Sequence, residues 1–214
     1  LKVVVGGPGT GKTTTIKGII MAYQKMFPDD VVKLCAPTGR AAQRLAESTD
    51  MEASTVHRLL DYRPYGDSTT HKDANNPIQA NLIVIDEMSM MDIELFDIFL
   101  SAVKSGTTLI FVGDTNQLEA VGAGAVLSDL MQMPKTLINI TELTEVFRQK
   151  GGSPIIENSI RTKMGRQDLE CTDDFQIINA KSPEQTRDIV CDLMKQLYNP
   201  NDPFETQILC PARK

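Results

Sequence analysis

Several patterns are missing from this 214-residue chain, and each absence narrows its chemistry. No apolar run approaches the ~20 residues that a membrane-spanning helix needs. The four cysteines, Cys35, Cys171, Cys191 and Cys210, form no C-x-x-C pair, so no ligand spacing supports a zinc site. Positive charge is not in excess. Twenty-two Lys and Arg face 28 Asp and Glu, a net charge of −6, which argues against a general nucleic-acid coat but leaves room for a local phosphate track. No Asn-Lys-x-Asp segment is present, which disfavours a GTPase. No leader pattern opens the sequence, and we expect a cytoplasmic protein with reduced thiols, Cys35 and Cys210 packing in apolar strands.

What is present is an ordinary globular composition, 41% hydrophobic and 23% charged, organised around one stretch. Gly6-Gly7-Pro8-Gly9-Thr10-Gly11-Lys12-Thr13-Thr14 follows the apolar run Val3-Val4-Val5 and fits G-x-x-x-x-G-K-[ST] without a gap. The physics predicts a strand ending at Gly6, a tight loop, and a helix from about Lys12. Glycine freedom lets backbone N–H groups converge on an anion, and the helix N-terminus adds partial positive charge there. Gly7, Gly9, Thr10, Gly11, Lys12, Thr13 and Thr14 are therefore the candidate nucleotide-binding residues. Lys12 would reach the β- and γ-phosphates of ATP, and the Thr13 hydroxyl would ligate Mg²⁺.

A second signal is the continuous apolar strand Leu82-Ile83-Val84-Ile85, which delivers Asp86 and Glu87. In an open parallel sheet, ligands bind at the carboxyl ends of the strands. Asp86 suits the metal, and Glu87 suits the general base that orients and deprotonates water. A third strand, Thr107 to Val112, ends in Gly113-Asp114-Thr115-Asn116-Gln117-Leu118, where Gln117 is a candidate γ-phosphate contact. Arg148, in Phe147-Arg148-Gln149, is either a surface arginine or a source of transition-state charge stabilisation.

Further along, helices are expected over 12–26, from Thr38 through Glu47, over 55–61, over 92–103 with Ile93, Phe96, Phe99, Leu100 and Val103 on the apolar face, and to about Gln132. Val31 to Ala36 and Leu137 to Ile140 read as strands. Residues 63–80 are polar and turn-rich, either a loop or a small exposed hairpin. Strands alternating with helices predict an α/β fold, a parallel sheet covered on both faces. After Gln149 comes a hinge-like Lys-Gly-Gly-Ser-Pro, then a helix (155–164), a strand (175–179), a helix (183–197) and a strand (206–210). The chain opens and closes inside strands, so we expect an excised piece of a longer protein.

Taken together, Gly6–Thr13, Ala36-Pro37-Thr38-Gly39-Arg40-Ala41-Ala42, Thr55-Val56-His57-Arg58-Leu59-Leu60, Asp86-Glu87-Met88-Ser89-Met90, Gly113–Leu118 and Leu143–Gln149 resemble superfamily 1 DNA helicases in order and spacing. The resemblance is to the RecD-like family, that of the exodeoxyribonuclease V alpha subunit and its stand-alone relatives. It implies a P-loop (RecA-like) domain over 1–149 and a partial second RecA-like domain over 150–214. By this likeness Lys12 and Thr13 bind ATP–Mg²⁺, Asp86 holds the metal, Glu87 is the catalytic base, Gln117 senses the γ-phosphate and Arg148 is an arginine finger. Thr38, Gly39 and Arg40 match the grip on a single-stranded DNA backbone, as Arg40 suits by charge and Thr38 by its hydroxyl and helix-start amide. Thr55 and His57 match the next DNA-side motif, although a lone His is equally a structural residue. Residues 63–80 fall where relatives carry a duplex-splitting hairpin.

The implied partners are single-stranded DNA or a single-strand/duplex junction and the other subunits of an exonuclease complex, with no membrane. The implied movement is 5′-to-3′. Two other readings stand beside it: a conjugative relaxase-type or viral helicase, and a nucleotide-binding regulatory or scaffold module without turnover. The later motifs that close such a cleft from a second domain are not among these residues, so this piece alone is expected to bind nucleotide weakly and hydrolyse little of it.

Overall fold

The computed structural model describes residues 1–63, 71–145, 154–203 and 205–210. The chain divides into two compact units, Leu1–Gly152 and Ser153–Lys214.

The first unit is built on a six-stranded parallel sheet. In chain order the strands are β1 (Lys2–Gly6), β2 (Val32–Ala36), β3 (Ala53–Thr55), β4 (Leu82–Ile85), β5 (Thr108–Gly113) and β6 (Asn139–Leu143). Their spatial order is β3-β2-β4-β5-β1-β6, every pairing parallel. The expected α/β architecture is therefore present. Each central strand divides its side chains between two faces, because successive residues of a strand point to opposite sides. Val3, Val5, Ile83, Ile85 and Phe111 enter one apolar cluster; Val4, Leu82, Val84, Ile110 and Val112 enter the other.

Helices cover both faces. Ile16 and Ile20 of α1 (Lys12–Met26) and Leu45 of α2 (Gly39–Thr49) fill the second cluster. After the short α3 (Val56–Leu59), the helices α4 (Ile93–Ala102) and α5 (Val126–Gln132) fill the first. Phe96 and Phe99 pack edge-on against Phe111, with ring centroids 5.8 and 6.2 Å apart, the tilted geometry aromatic quadrupoles favour. Cys35 is wholly buried as expected, and burial pushes its thiol far above the usual range.

Some sequence expectations are corrected. The buried face of α4 is Leu95, Phe96, Phe99 and Ala102, while Ile93 and Leu100 are 48% and 44% exposed. Ile93 and Leu100, seven residues apart, sit on the flank of a stripe whose centre is set by Leu95 and Ala102. The strand expected at 137–140 lies at Asn139–Leu143, because pairing with β1 aligns Lys2 with Asn139. Between 53 and 55, where only a helix start was expected, β3 adds an edge strand beside β2. Within 63–80, residues 64–70 lie outside the described residues. The described remainder carries no named strand, and Ile78 makes a lone bridge to Val103.

The second unit holds two helices, α6 (Pro154–Lys163) and α7 (Pro183–Leu197), close to the expected bounds. Ser182 caps α7 by accepting from Gln185 N–H, and proline occupies its first turn. The strands expected at 175–179 and 206–210 do not form. Ile177, Ile178, Ile208 and Leu209 are exposed, and among the described residues the unit offers only an isolated bridge, Thr172 to Phe175. A strand needs a neighbour for its hydrogen bonds, and an apolar run alone does not supply one. Cys210, expected to pack, is exposed. Asn158 is the unit's buried polar anchor: its side chain donates to the Glu170 carbonyl at 2.6 Å and accepts from Glu170 N–H at 2.9 Å.

Candidate nucleotide and DNA site

Lys12, Asp86, Glu87 and Gln117 follow strands that end at one carboxyl edge of the sheet, because β4, β5 and β1 are consecutive neighbours. With strands spaced ~4.8 Å apart, the ends of β4 and β1 lie about 10 Å from each other, within the span of a triphosphate and its metal.

The loop after β1 is held by its own backbone. Gly9 and Gly11 take φ of 78° and 82°, left-handed values that other residues adopt only with strain. The Thr10 hydroxyl donates to the Gly7 carbonyl at 2.9 Å. A Cβ on Gly6 would lie 2.5 Å from Thr10 Oγ1 and 2.9 Å from the Leu143 carbonyl, so only glycine fits where β1 enters the loop. Helix α1 starts at Lys12 with Gly11 as its N-cap and no side-chain cap, leaving first-turn N–H groups to serve an anion. Lys12 Nζ donates to the carbonyls of Gly6 (2.6 Å) and Gly7 (3.1 Å) and lies 3.9 Å from Asp114 Oδ2. Thr13 is half-buried beside it and Thr14 is exposed.

Asp86 follows β4. One carboxylate oxygen accepts from Glu87 N–H at 2.9 Å, and its own N–H donates to the Cys35 carbonyl. Burial raises its pKa, against the lowering effects of that hydrogen bond and of Lys12. Glu87 has φ of 54°, a left-handed conformation that an unbranched side chain tolerates only with strain, and such outliers cluster at functional sites. Burial raises its pKa too, with Asp86 and Asp114 adding to the rise and Lys12 and Arg44 opposing it.

Among the described residues three buried side-chain atoms lack a hydrogen-bond partner: Glu87 Oε2, Ser89 Oγ and Asp114 Oδ2. All three follow β4 or β5. Unsatisfied buried polar atoms are costly, and their grouping here fits a site built for polar, charged cargo. No group of three His, Cys, Asp or Glu among the described residues forms a metal cage. Mg²⁺ is commonly held by one or two protein oxygens together with substrate phosphates and water, and Asp86 and Thr13 offer fitting donors. Asp114 and Ser89 are site residues that the sequence reading missed. The available signal for Asp114 is a Gly-Asp at the end of a buried strand, which is equally an ordinary turn signal.

Gln117 is exposed on the loop after β5, its N–H donating to the Asp114 carbonyl at 3.2 Å. That loop borders the phosphate loop, since a Cβ on Gly7 would lie 4.0 Å from Asn116 Nδ2. Arg148 lies outside the described residues.

The residues expected to contact DNA lie at the same edge, at the ends of β2 and β3, which pair with Ala36 opposite Thr55. Thr38 caps α2 by accepting from Ala41 N–H, and Thr55 caps α3 by accepting from Arg58 N–H, both at 3.2 Å. Gly39 and Arg40 are exposed on the first turn of α2. His57 stacks on Tyr62 with centroids 5.9 Å apart, and Tyr62 meets His71 edge-on at 6.2 Å.

The chain is similar to known proteins in both sequence and fold. Residues 1–123 match the family model described as AAA domain. The ATP-dependent RecD2 DNA helicase of Deinococcus radiodurans is 45% identical over 157 residues, 73% of this chain and 21% of that protein. The RecBCD enzyme subunit RecD of Haemophilus influenzae is 38% identical over 152 residues, 61% of this chain and 24% of that protein. The chain thus spans about a quarter of the length of either relative. The crystal structure of Pif1 helicase from Candida albicans shares the fold, with a TM-score of 0.58 at 19% identity over 92% of this chain and 51% of that one. No helix among the described residues is long and apolar enough to cross a membrane.

Proposed function

The chain belongs to the AAA domain family and is RecD-like in sequence, and from that premise we propose that it forms the nucleotide-binding half of an ATP-driven DNA helicase motor. The carrying observation is the convergence of Lys12 with Asp86, Glu87 and Asp114 on adjacent strand ends, at the same sheet edge as the helix starts after Thr38 and Thr55.

In this reading the uncapped start of α1 and Lys12 bind the phosphates of ATP. Thr13 and Asp86 would hold Mg²⁺, which when bound would neutralise phosphate charge. Glu87 accepts a proton from the attacking water at Oε2, the buried oxygen without a partner. Its raised pKa makes it a stronger base than an exposed glutamate once ionised. Gln117 contacts the γ-phosphate and Arg148 supplies charge from the hinge. Thr38, Gly39, Arg40, Thr55 and His57 contact the backbone of single-stranded DNA, with the first turn of α2 donating N–H groups.

Movement is 5′-to-3′ by the likeness of the motifs to the family, and the printed name of the RecBCD enzyme subunit RecD supports a place beside other exonuclease subunits. Residues 1–149 act as a first RecA-like domain and 150–214 as part of a second, in a cytoplasmic protein. The test is ATP hydrolysis by the parent protein with and without single-stranded DNA. Glu87→Gln should keep ATP binding while abolishing hydrolysis and strand displacement. A parent with no DNA-stimulated hydrolysis would leave only the nucleotide-binding scaffold reading. The 214-residue chain alone should bind nucleotide and turn it over slowly.

A further inference from the structure

We infer that Asp114 is a positioning residue that links the ammonium of Lys12 to the loop carrying Gln117, so that the phosphate loop and its neighbour respond to one another through one carboxylate. The inference deepens the nucleotide-site reading and rests on it for the purpose of Lys12.

Asp114 directly follows β5 and is 0% exposed. Its two carboxylate oxygens do different things. Oδ1 accepts from Asn116 N–H at 2.8 Å, and the residue's own carbonyl accepts from Gln117 N–H at 3.2 Å. Oδ2 is buried without a hydrogen bond and faces Lys12 Nζ at 3.9 Å. A half-satisfied carboxylate in the interior needs a compensating charge, and Lys12 supplies one. The carbonyls of Gly6 and Gly7 hold the ammonium in place, but as neutral groups they cannot balance Asp114.

The surroundings make this carboxylate a stiff connector. A Cβ on Gly113 would lie 2.6 Å from Leu127 Cδ2, so the strand end directly before Asp114 packs closely against α5. Asn116 in turn borders Gly7. When a triphosphate draws the ammonium of Lys12 toward its own oxygens, Asp114 loses its countercharge and turns toward another donor or water. That turn moves Oδ1, the atom that fixes Asn116, and so loosens the loop that presents Gln117. A residue that merely buttressed the loop would not respond to Lys12.

Amide hydrogen exchange measured by NMR on the 214-residue chain tests this without nucleotide. Lys12→Met should raise exchange at Asn116 and Gln117 by at least about threefold, as expected for local opening, while Ile110 and Phe111 of β5 stay unchanged. In an Asp114→Asn background, Lys12→Met should add nothing further, because coupled residues fail to add. Unchanged exchange at both amides in Lys12→Met overturns the inference, and this single variant decides it even if Asp114→Asn does not fold. Mg·ADP added to the unsubstituted chain should act in the same direction as Lys12→Met. Mg·ADP that binds, by a fluorescent-analogue competition, without moving those two amides also overturns it. Absence of any ADP binding would instead refute the nucleotide-site reading, leaving the Lys12→Met result to stand on its own.

Discussion

Three helices of the first unit begin at the same edge of the same sheet, after β1, β2 and β3, and they begin in two ways. Helices α2 and α3 are closed by Thr38 and Thr55, each accepting a first-turn N–H with its own hydroxyl. Helix α1 starts after Gly11, which has no side chain to offer and stands in the left-handed region. The free donors of a helix start must find partners. At α2 and α3 the protein supplies one of them, which matches the DNA-backbone role proposed there. At α1 it supplies no side-chain cap, which matches the phosphate role proposed there. The proposed gripping site and the proposed nucleotide site thus differ by a single residue at the same topological position.

The comparison can be broken at its chemical end first. Glu87→Gln in the parent protein should lower kcat for ATP hydrolysis about 100- to 10,000-fold, the usual worth of a general base, while nucleotide affinity measured by fluorescence titration stays within a factor of three or so. A loss of affinity instead of rate would move Glu87 from catalysis to binding. Next in size is Gly11→Ala. It forces a Cβ into a left-handed residue, at about 1–2 kcal/mol, and crowds the donors of α1; the melting temperature should fall and ADP affinity drop about tenfold. Unaltered affinity would mean that the open start of α1 is not what binds phosphate.

At the gripping end the effects are smaller. Thr38→Ala should cost about 1 kcal/mol of stability by removing the α2 cap, and Thr38→Ser should recover it. Single-stranded DNA affinity in the parent should follow the same order in fluorescence anisotropy. If Thr38→Ser restores stability but not DNA affinity, the threonine methyl matters and the cap does not.

The last prediction concerns pH. Glu87 must be ionised to accept a proton, and burial raises its pKa. Hydrolysis should therefore rise with pH through a limb lying above the usual carboxylate range, and a kcat–pH profile checks it. The same shift favours the neutral carboxyl in the fold. Its contribution to stability is full below the unfolded-state pKa and fades as pH climbs through the raised value.

Legibility in the sequence followed the distance over which the determining contacts act. The phosphate loop, the acids after β4 and the extents of α1, α6 and α7 depend on neighbours along the chain, so local spacing and caps were enough to place them. The buried face of α4 was misjudged because its direction is set by Phe111 on another element. Three-residue β3 is too short for a periodic signal and exists because β2 lies beside it. The apolar runs near 177 and 208 read as strands, yet pairing is a property of two segments, and among the described residues neither run pairs with another. Asp114 shows the same limit at the site. Its significance is the approach of Lys12 across neighbouring strands, which no spacing encodes.

The thiols have a practical side. Cys35 is sealed within strand β2 of the sheet, while Cys171, Cys191 and Cys210 face solvent in the second unit. A maleimide dye would therefore decorate one unit and spare the other, so fluorescence can be attached without engineering a new handle or touching the residues proposed to meet nucleotide.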